Sequence, residues 1–258
     1  GNTMKILEDI IASLEKGIPI QEICRGPLWT GVVSTRCGLA SAMYEGSCDS
    51  AAGKETRDPG PYMNMTADEL ARLSLSRRIP EASLGMAAIN SLLALAPDEC
   101  EEVNASEFLM RAGRGKNVSI IGHFPFVEEI RDIAENLWVI EKKLQEGDYP
   151  EGDSEKYLPV SDVIAISSTT LINHTLSSLL SLCPETSIKI ILGPTTPVSK
   201  ILFDYGIDIV SGSYVTDTAL VLESIRKGIS FSAMKKIGGI QFVSLVKNMV
   251  QYKRIMSL

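Results

Sequence analysis

The chain has 258 residues, of which 45% are hydrophobic and 22% are charged, and its formal net charge is -7 at pH 7. This composition is sufficient for two compact domains, each with its own core, and it excludes an intrinsically disordered chain. The acidic balance without a basic stripe argues against nucleic acid as a partner, and the apolar runs are too short to span a membrane, so we expect a cytoplasmic protein that binds neither.

The first hundred residues predict a small α+β unit. Apolar residues at helical spacing predict an amphipathic helix over 4–16, and three short β-rich runs over 21–45 predict an antiparallel meander. A loop rich in Gly, Ser, Asp and Pro follows from Glu45 to Tyr62, and loops of that length are often functional. The capping box from Thr66 to Glu69 predicts the start of a helix, and a second, apolar helix follows Pro80.

The rest of the chain has the pattern of an α/β domain. The polar segment 97–104 predicts a boundary between a domain of residues 1–98 and a domain of residues 99–258. Five β-rich runs after this boundary alternate with helical patterns and predict a right-handed parallel sheet. The hydrophilic insertion 142–159, between the second and third runs, is typical of a surface excursion or a lid.

Small polar residues follow the predicted strands. Ligands of open parallel sheets bind at the carboxyl ends of the strands, so these turns are candidate ligand-binding positions. The candidates after the third, fourth and fifth strands are Ser168, Thr169, Thr170, Gly193, Thr195, Thr196, Gly212 and Ser213. Their hydroxyls either cap the following helices or line a polar pocket for an anionic group.

The first two strands of this sheet end in different signals. The first ends in Gly122 and His123 without the GxGxxG fingerprint of dinucleotide-binding domains, so a pyrophosphate ligand is disfavoured. Glu141 ends the second strand, about where an acid holds a ribose hydroxyl in such sheets. A solvated surface charge explains Glu141 equally well, and a nucleoside-bearing ligand therefore stays an alternative.

The chain has two histidines, and both follow predicted strands. Imidazole is a common transition-metal ligand and the usual acid or base near pH 7, so His123 and His174 are candidate metal ligands or acid–base residues. His174 also fits the exposed face of a helix. A soft-metal role is conceivable for Cys37 and Cys48, although scattered cysteines are usually reduced core residues.

Asn90 is one of two polar residues in an apolar helical stretch. A polar side chain that becomes buried must find hydrogen-bond partners. Either a second helix or a ligand satisfies this requirement.

Four stretches carry a family resemblance: GMAAINSLL from Gly85, IGHFPF from Ile121, STTLINHT from Ser168, and GPTTPVSKILFDYGIDIVSGSYV from Gly193. In these stretches the chain resembles a family of prokaryotic proteins named for heavy-metal chelation, the DUF364 type with its DUF4213 amino-terminal partner. The family pattern commonly has glycine at position 174.

The resemblance implies an amino-terminal domain similar to the enolase N-terminal fold, a Rossmann-like carboxyl-terminal domain and a site in the cleft between them. The residues that it places near this cleft are Asn90, His123, Glu141, Thr169, Thr170, Asn173, Thr195 and Ser213.

Two functions follow as hypotheses. The first is a protein that binds a small molecule or a metal complex and handles a transition or heavy metal ion, with His123 and His174 as metal ligands. The alternative is an enzyme, a transferase or a lyase, that acts on a nucleoside-bearing or anionic metabolite. The sequence leaves the oligomeric state open, a homo-oligomer included.

Overall fold

The structure is a computed structural model that describes residues 2–43, 59–142 and 144–258. These residues form a mixed α/β fold built on two β-sheets, one of three strands and one of seven. The larger sheet is mostly parallel, and the smaller one is antiparallel. The predicted α/β class, with a smaller mixed unit before the main sheet, is confirmed.

The smaller sheet follows the opening helix. Its elements are α1 (Asn2–Ala12), β1 (Glu22–Arg25), β2 (Trp29–Val33) and β3 (Cys37–Ser41). The strands pair in the order β1-β2-β3, so the predicted meander is confirmed. The helix ends before the predicted limit because the amides of Ser13 and Leu14 bond to carbonyls three residues earlier, which tightens the backbone into a turn.

Two further helices complete the amino-terminal part. They are α2 (Ala67–Ala71) and α3 (Ile79–Leu92). The hydroxyl of Thr66 caps α2 by accepting the amide of Glu69 at 3.4 Å, as the capping pattern predicts. Helix α3 is apolar on nearly every side and is buried accordingly. Its close contact with β3 requires Gly38, since a Cβ there would lie 2.2 Å from the carbonyl oxygen of Ala87.

The larger sheet contains all five predicted strands and two more. Its strands are β4 (Asn117–Ile121), β5 (Asn136–Glu141), β6 (Tyr149–Pro150), β7 (Val163–Ser167), β8 (Ile188–Leu192), β9 (Ile209–Val215) and β10 (Ile240–Val246). They pair in the order β10-β9-β8-β7-β4-β5-β6, and β10 alone runs antiparallel to its neighbour. Numbered within this sheet, the first six strands have the order 3-2-1-4-5-6 of doubly wound nucleotide-binding sheets.

Seven helices of the described residues accompany this sheet. They are α4 (Ala105–Gly113), α5 (Val127–Ile133), α6 (Ser154–Tyr157), α7 (Leu176–Leu182), α8 (Thr218–Arg226), α9 (Phe231–Ile237) and α10 (Met249–Met256). In the part of the chain that the structure describes, no helix has both the length and the apolar character that a membrane crossing requires.

The insertion 142–159 is part of the sheet rather than a simple surface excursion. Strand β6 pairs with the end of β5, and Leu158 is fully buried. The rings of Tyr149 and Trp138 both pack on Tyr157, with centroids 4.7 and 4.8 Å away. Aromatic packing of this kind explains why a hydrophilic stretch still has a fixed place in the fold.

One hydrophobic cluster contains buried residues of both sheets. It includes residues of α1 and α3, such as Ile6 and Ile89, together with Ile164 and Ile166 of β7. A second cluster fills the opposite face of the large sheet, where Phe108 of α4 is fully buried. Because the first cluster contains residues from both sides of position 98, the division into domains 1–98 and 99–258 stays a prediction, as does the likeness to the enolase N-terminal fold.

Candidate functional site

A pocket lies where β3 and the end of α3 meet the carboxyl ends of β8 and β9. It is a small cavity of about 20 Å³ that opens to solvent. The polar side chains on its wall come from both parts of the chain: Arg36, Cys37, Asn90, Thr196, Ser213 and Tyr214. Three of these, Asn90, Thr196 and Ser213, were predicted as ligand-binding residues, and Cys37 was considered as a soft-metal ligand.

Arg36 gives the pocket a positive charge. Its Nη1 donates to the carbonyl of Leu95 at 2.8 Å, and its guanidinium lies 4.9 Å from the ring centroid of Tyr214. These contacts hold the group in place, and its other N–H groups make no further hydrogen bond within the described residues. Arg36 is the one charged residue among the described residues that line the pocket.

Asn90 joins the two parts of the chain. Its amide donates to the carbonyl of Leu39 in β3 at 2.8 Å and to the carbonyl of Thr195, after β8, at 3.0 Å. The partners of Asn90 are therefore a strand and a loop, not the second helix that was one of the two expectations. Its side-chain oxygen accepts no hydrogen bond within the described part, so an acceptor is available at the pocket.

The two threonines after β8 have different environments. Thr195 is fully buried, and its hydroxyl accepts the amide of Ser41 at 2.9 Å, so it also links the two parts of the chain. Thr196 is 2% exposed, and its hydroxyl has no partner among the described residues. An unsatisfied buried hydroxyl costs about 1–3 kcal/mol, which a ligand atom would offset.

The glycines predicted here shape the backbone. Gly193 has a φ of 122°, which side chains rarely adopt. A Cβ at Gly212 would lie 2.7 Å from the side chain of Val198 and 2.9 Å from the carbonyl oxygen of Thr196. Gly212 therefore allows the loop after β8 to lie directly on β9, which brings Ser213 to the pocket wall.

The cysteine of this pocket is a poor metal ligand. Burial raises the pKa of the Cys37 thiol to about 12, so it stays protonated at physiological pH. Metals bind the thiolate, and the adjacent Arg36 further disfavours a bare cation. Cys48, its suggested partner, and most of the loop from Glu45 to Tyr62 lie outside the described residues.

His123 lies at the carboxyl end of β4, two strands away from β8. Its Nε2 lies 2.5 Å from Oδ2 of Asp148, whose side chain is 1% exposed. Asp148 belongs to the hydrophilic insertion and was not predicted as a site residue. Beside this pair, Gly122 has a φ of 108°, and a Cβ on it would lie 3.0 Å from the Cβ of Ser167 at the end of β7.

The turn after β7 uses most of its hydroxyls internally. Ser167 accepts the amide of Thr169 at 3.3 Å, Thr170 donates to the carbonyl of Ser167, and Asn173 accepts the hydroxyl of Thr175. Capping thus accounts for these residues. The hydroxyl of Ser168 is the exception, because it is buried and has no partner among the described residues.

His174 and Glu141 have local partners. His174 adopts a left-handed φ of 62°, and its Nε2 lies 2.6 Å from the carbonyl oxygen of Ser74, so it joins the turn after β7 to the amino-terminal part. Glu141 accepts the amide of Lys142 at 2.8 Å, and its strand β5 is three strands away from β8. Neither side chain lines the pocket.

The two histidines have different partners, Asp148 and a backbone carbonyl. Across residues 2–43, 59–142 and 144–258, no three His, Cys, Asp or Glu side chains are grouped to hold a metal ion. The described donor set does not fit a resident metal ion, and metal ligation by His123 and His174 stays a prediction.

Sequence reasoning missed three residues of these sites. Arg36 and Tyr214 adjoin the predicted Cys37 and Ser213, but nothing local indicates that the two side chains stack. Asp148 lies 25 positions after His123 in a polar insertion. Only the pairing of β6 with β5 brings that insertion back to the sheet edge.

Both parts of the chain are similar in sequence to known protein families. Residues 104–244 match the family DUF364 and residues 7–93 match DUF4213, and both families are described as "Putative heavy-metal chelation". An uncharacterized protein of Methanocaldococcus jannaschii is 27% identical over 162 residues, which cover 60% of this chain and 62% of that protein.

Two crystal structures share the fold. A DUF364-family protein of unknown function from Desulfitobacterium hafniense is 25% identical, with a TM-score of 0.78 over 95% of this chain and 98% of its own. Another, from Pyrococcus horikoshii, is 19% identical, with a TM-score of 0.77 over 95% of this chain and 100% of its own. With more than half of its length matched, the chain belongs to the DUF364 family.

Proposed function

We propose that this protein binds a small anionic molecule in the pocket between its two sheets, and that a heavy metal reaches the pocket as an anionic complex. The observation that carries the proposal is that one wall contains both Arg36, its charged group, and Thr196, whose buried hydroxyl has no partner among the described residues. A carboxylate or phosphate group has several acceptor oxygens, which suit a guanidinium and a hydroxyl donor.

The stacked position of Arg36 supports this proposal. Because Tyr214 and the Leu95 carbonyl already order the guanidinium, little side-chain entropy is lost when an anion binds. Asn90 and Ser213 add neutral polar groups to the same wall. A few convergent polar groups of this kind fix the orientation of the ligand in small-molecule sites.

The same wall disfavours a bare metal ion. Cys37 stays protonated, and the positive charge of Arg36 repels a cation. A metal already bound by a polycarboxylate carries net negative charge and presents oxygen atoms to Arg36. This arrangement agrees with a family description that refers to heavy-metal chelation.

Isothermal titration calorimetry with three probes tests the proposal: nickel(II) chloride, citrate and the nickel(II)–citrate complex. We expect citrate or its nickel complex to bind and nickel(II) alone not to bind. Loss of a charged hydrogen bond is worth about 1.5–3 kcal/mol, so Arg36→Gln weakens binding roughly 10- to 100-fold. Arg114→Gln changes an exposed arginine away from the pocket and is the matched control.

Native mass spectrometry of the anaerobically purified protein complements this experiment. A retained organic mass, with or without metal, that is lost in Arg36→Gln supports the pocket. Tight binding of nickel(II) alone that is equal in wild type and Arg36→Gln contradicts the proposal.

The strand order favours one second candidate, an enzyme that acts on a nucleoside-bearing metabolite. In the order 3-2-1-4-5-6, Glu141 ends the second strand, where an acid holds a ribose hydroxyl. Adenosine, which is uncharged, separates this function from the anion pocket. Binding of adenosine that Glu141→Ala abolishes and Arg36→Gln leaves unchanged supports the second candidate.

A further inference from the structure

We infer that the end of β4 forms an acid–base site. There His123, oriented by Asp148, exchanges a proton with a hydroxyl-bearing small molecule, which binds between the turns that follow β4 and β7. This inference goes beyond the proposed function, because it concerns a different set of residues along the same sheet edge. It does not require an anion in the Arg36 pocket.

The first argument is the asymmetry of the pair. The side chain of Asp148 is 1% exposed, whereas that of His123 is 28% exposed. Oδ2 of Asp148 also accepts the amide of Gln145 at 2.9 Å, so the carboxylate is held from two sides. A buried, fixed carboxylate that meets a partly exposed imidazole is how enzymes orient a histidine base.

The second argument concerns the free nitrogen of the ring. Because Nε2 faces the carboxylate, the neutral imidazole carries its proton on Nε2 and donates it to Asp148. Nδ1 then has a lone pair, and it has no hydrogen-bond partner among the described residues. A substrate O–H transfers its proton to Nδ1, the carboxylate stabilises the resulting imidazolium, and no electron transfer is involved.

The third argument is the position in the fold. In the order 3-2-1-4-5-6, the first and fourth strands, β4 and β7, are the adjacent pair at which the chain changes direction, and ligands bind at this crevice. The turns after β4 and β7 lie next to each other, since a Cβ on Gly122 would be 3.0 Å from the Cβ of Ser167. His123 follows that glycine immediately.

The fourth argument indicates the ligand class. The hydroxyls of Ser167 and Thr169 lie 2.8 Å apart at this turn, and Ser167 is the residue that lies beside Gly122. The unpartnered hydroxyl of Ser168 lies on the side of β8 instead, since a Cβ on Gly193 would be 2.9 Å from its Oγ. The first two hydroxyls suit a ligand rich in hydroxyl oxygen, which both donates and accepts. Strands are about 4.8 Å apart, so the β4 side of this crevice, with His123, is roughly 10 Å from the end of β8.

Chemical modification tests the inference because the chain has two histidines. The probe is diethyl pyrocarbonate, which acylates an unprotonated imidazole nitrogen, and peptide mass spectrometry measures the rate at each histidine. We expect His123 to react faster than N-acetylhistidine, and Asp148→Asn to slow this reaction by about tenfold or more, in line with the usual effect of partners that orient a histidine. His174→Gln is the control that leaves the rate at His123 unchanged.

Nitrogen-15 NMR of histidine-labelled protein reports which ring nitrogen carries the proton. We expect the neutral His123 ring of the wild type to be protonated almost entirely on Nε2, and the ring in Asp148→Leu to populate both tautomers. If neither variant folds, the wild-type rate alone decides: a His123 that reacts more slowly than N-acetylhistidine overturns the inference. Stoichiometric protection of His123 by zinc(II) chloride also overturns it, since that result identifies a metal ligand.

Discussion

Replacement of Asn90 tests the link between the two parts of the chain. In Asn90→Ala, the carbonyls of Leu39 and Thr195 each lose a hydrogen-bond donor, at 2.8 and 3.0 Å. Each such bond contributes about 0.5–1.5 kcal/mol net. Because Asn90 lines the pocket and water can reach it, we take about 1 kcal/mol for each and expect a loss of about 2 kcal/mol in the free energy of unfolding.

A second variant separates hydrogen bonding from volume. Asn90→Asp keeps the shape of the side chain but places a carboxylate opposite two carbonyl oxygens, so we expect a larger loss than for alanine. Asn136→Ala is the matched control, because its exposed amide donates to the side chain of Asn117 on the surface. We expect that control to change the free energy of unfolding by about 0.5 kcal/mol or less.

Urea unfolding followed by tryptophan fluorescence suits this experiment. Trp29 lies in the small sheet and Trp138 in the large one, so single-tryptophan variants report on each part separately. Asn90→Ala should lower the unfolding midpoint at both positions if the shared core unfolds as one unit. An Asn90→Ala protein within 0.5 kcal/mol of wild type, or an Asn90→Asp protein as stable as Asn90→Ala, would refute the reasoning.

Three further predictions concern close packing, burial and backbone conformation. Gly38→Ala places a Cβ 2.2 Å from a backbone carbonyl oxygen of α3, so we expect the free energy of unfolding, measured in urea, to fall by about 3 kcal/mol or more. Gly152→Ala is the control, because a Cβ there meets open space, and it should leave the free energy of unfolding nearly unchanged. Burial raises the pKa of Cys37 from its ordinary value of 9.0 to about 12 in the folded state, so its contribution to stability is complete below pH 9 and is lost as the pH rises from 9 toward 12. The urea midpoint of Cys37→Ala should therefore fall less steeply over that range than that of wild type. His174→Gly and His174→Ala both lose the contact with Ser74, but only glycine accepts the φ of 62° without strain. Thermal unfolding should therefore show the glycine variant to be more stable than the alanine variant by about 1 kcal/mol. Equal stabilities would contradict this explanation.

Local patterns predicted most of the fold. The five strands from β4 to β9, apart from the short β6, each show an apolar run, and in β7, β8 and β9 this run ends in small polar residues. The turns at Gly122, Ser168 and Gly193 follow from these runs. The capping box at Thr66 located α2 to the residue. Strand β6 is two residues long within a polar insertion, and too short a segment carries too weak a pattern to predict.

The sites depended on contacts between distant segments. Periodicity and turn chemistry are properties of neighbouring residues, so the sequence by itself determined which strand ends would present hydroxyls and glycines. Only the tertiary structure placed Arg36 over Tyr214 and brought Asp148 to His123, because these contacts depend on how the two sheets pack and how β6 pairs with β5. Packing of the sheets also showed that Thr195 joins the two parts of the chain, whereas the hydroxyl of Thr196, the next residue, has no partner among the described residues.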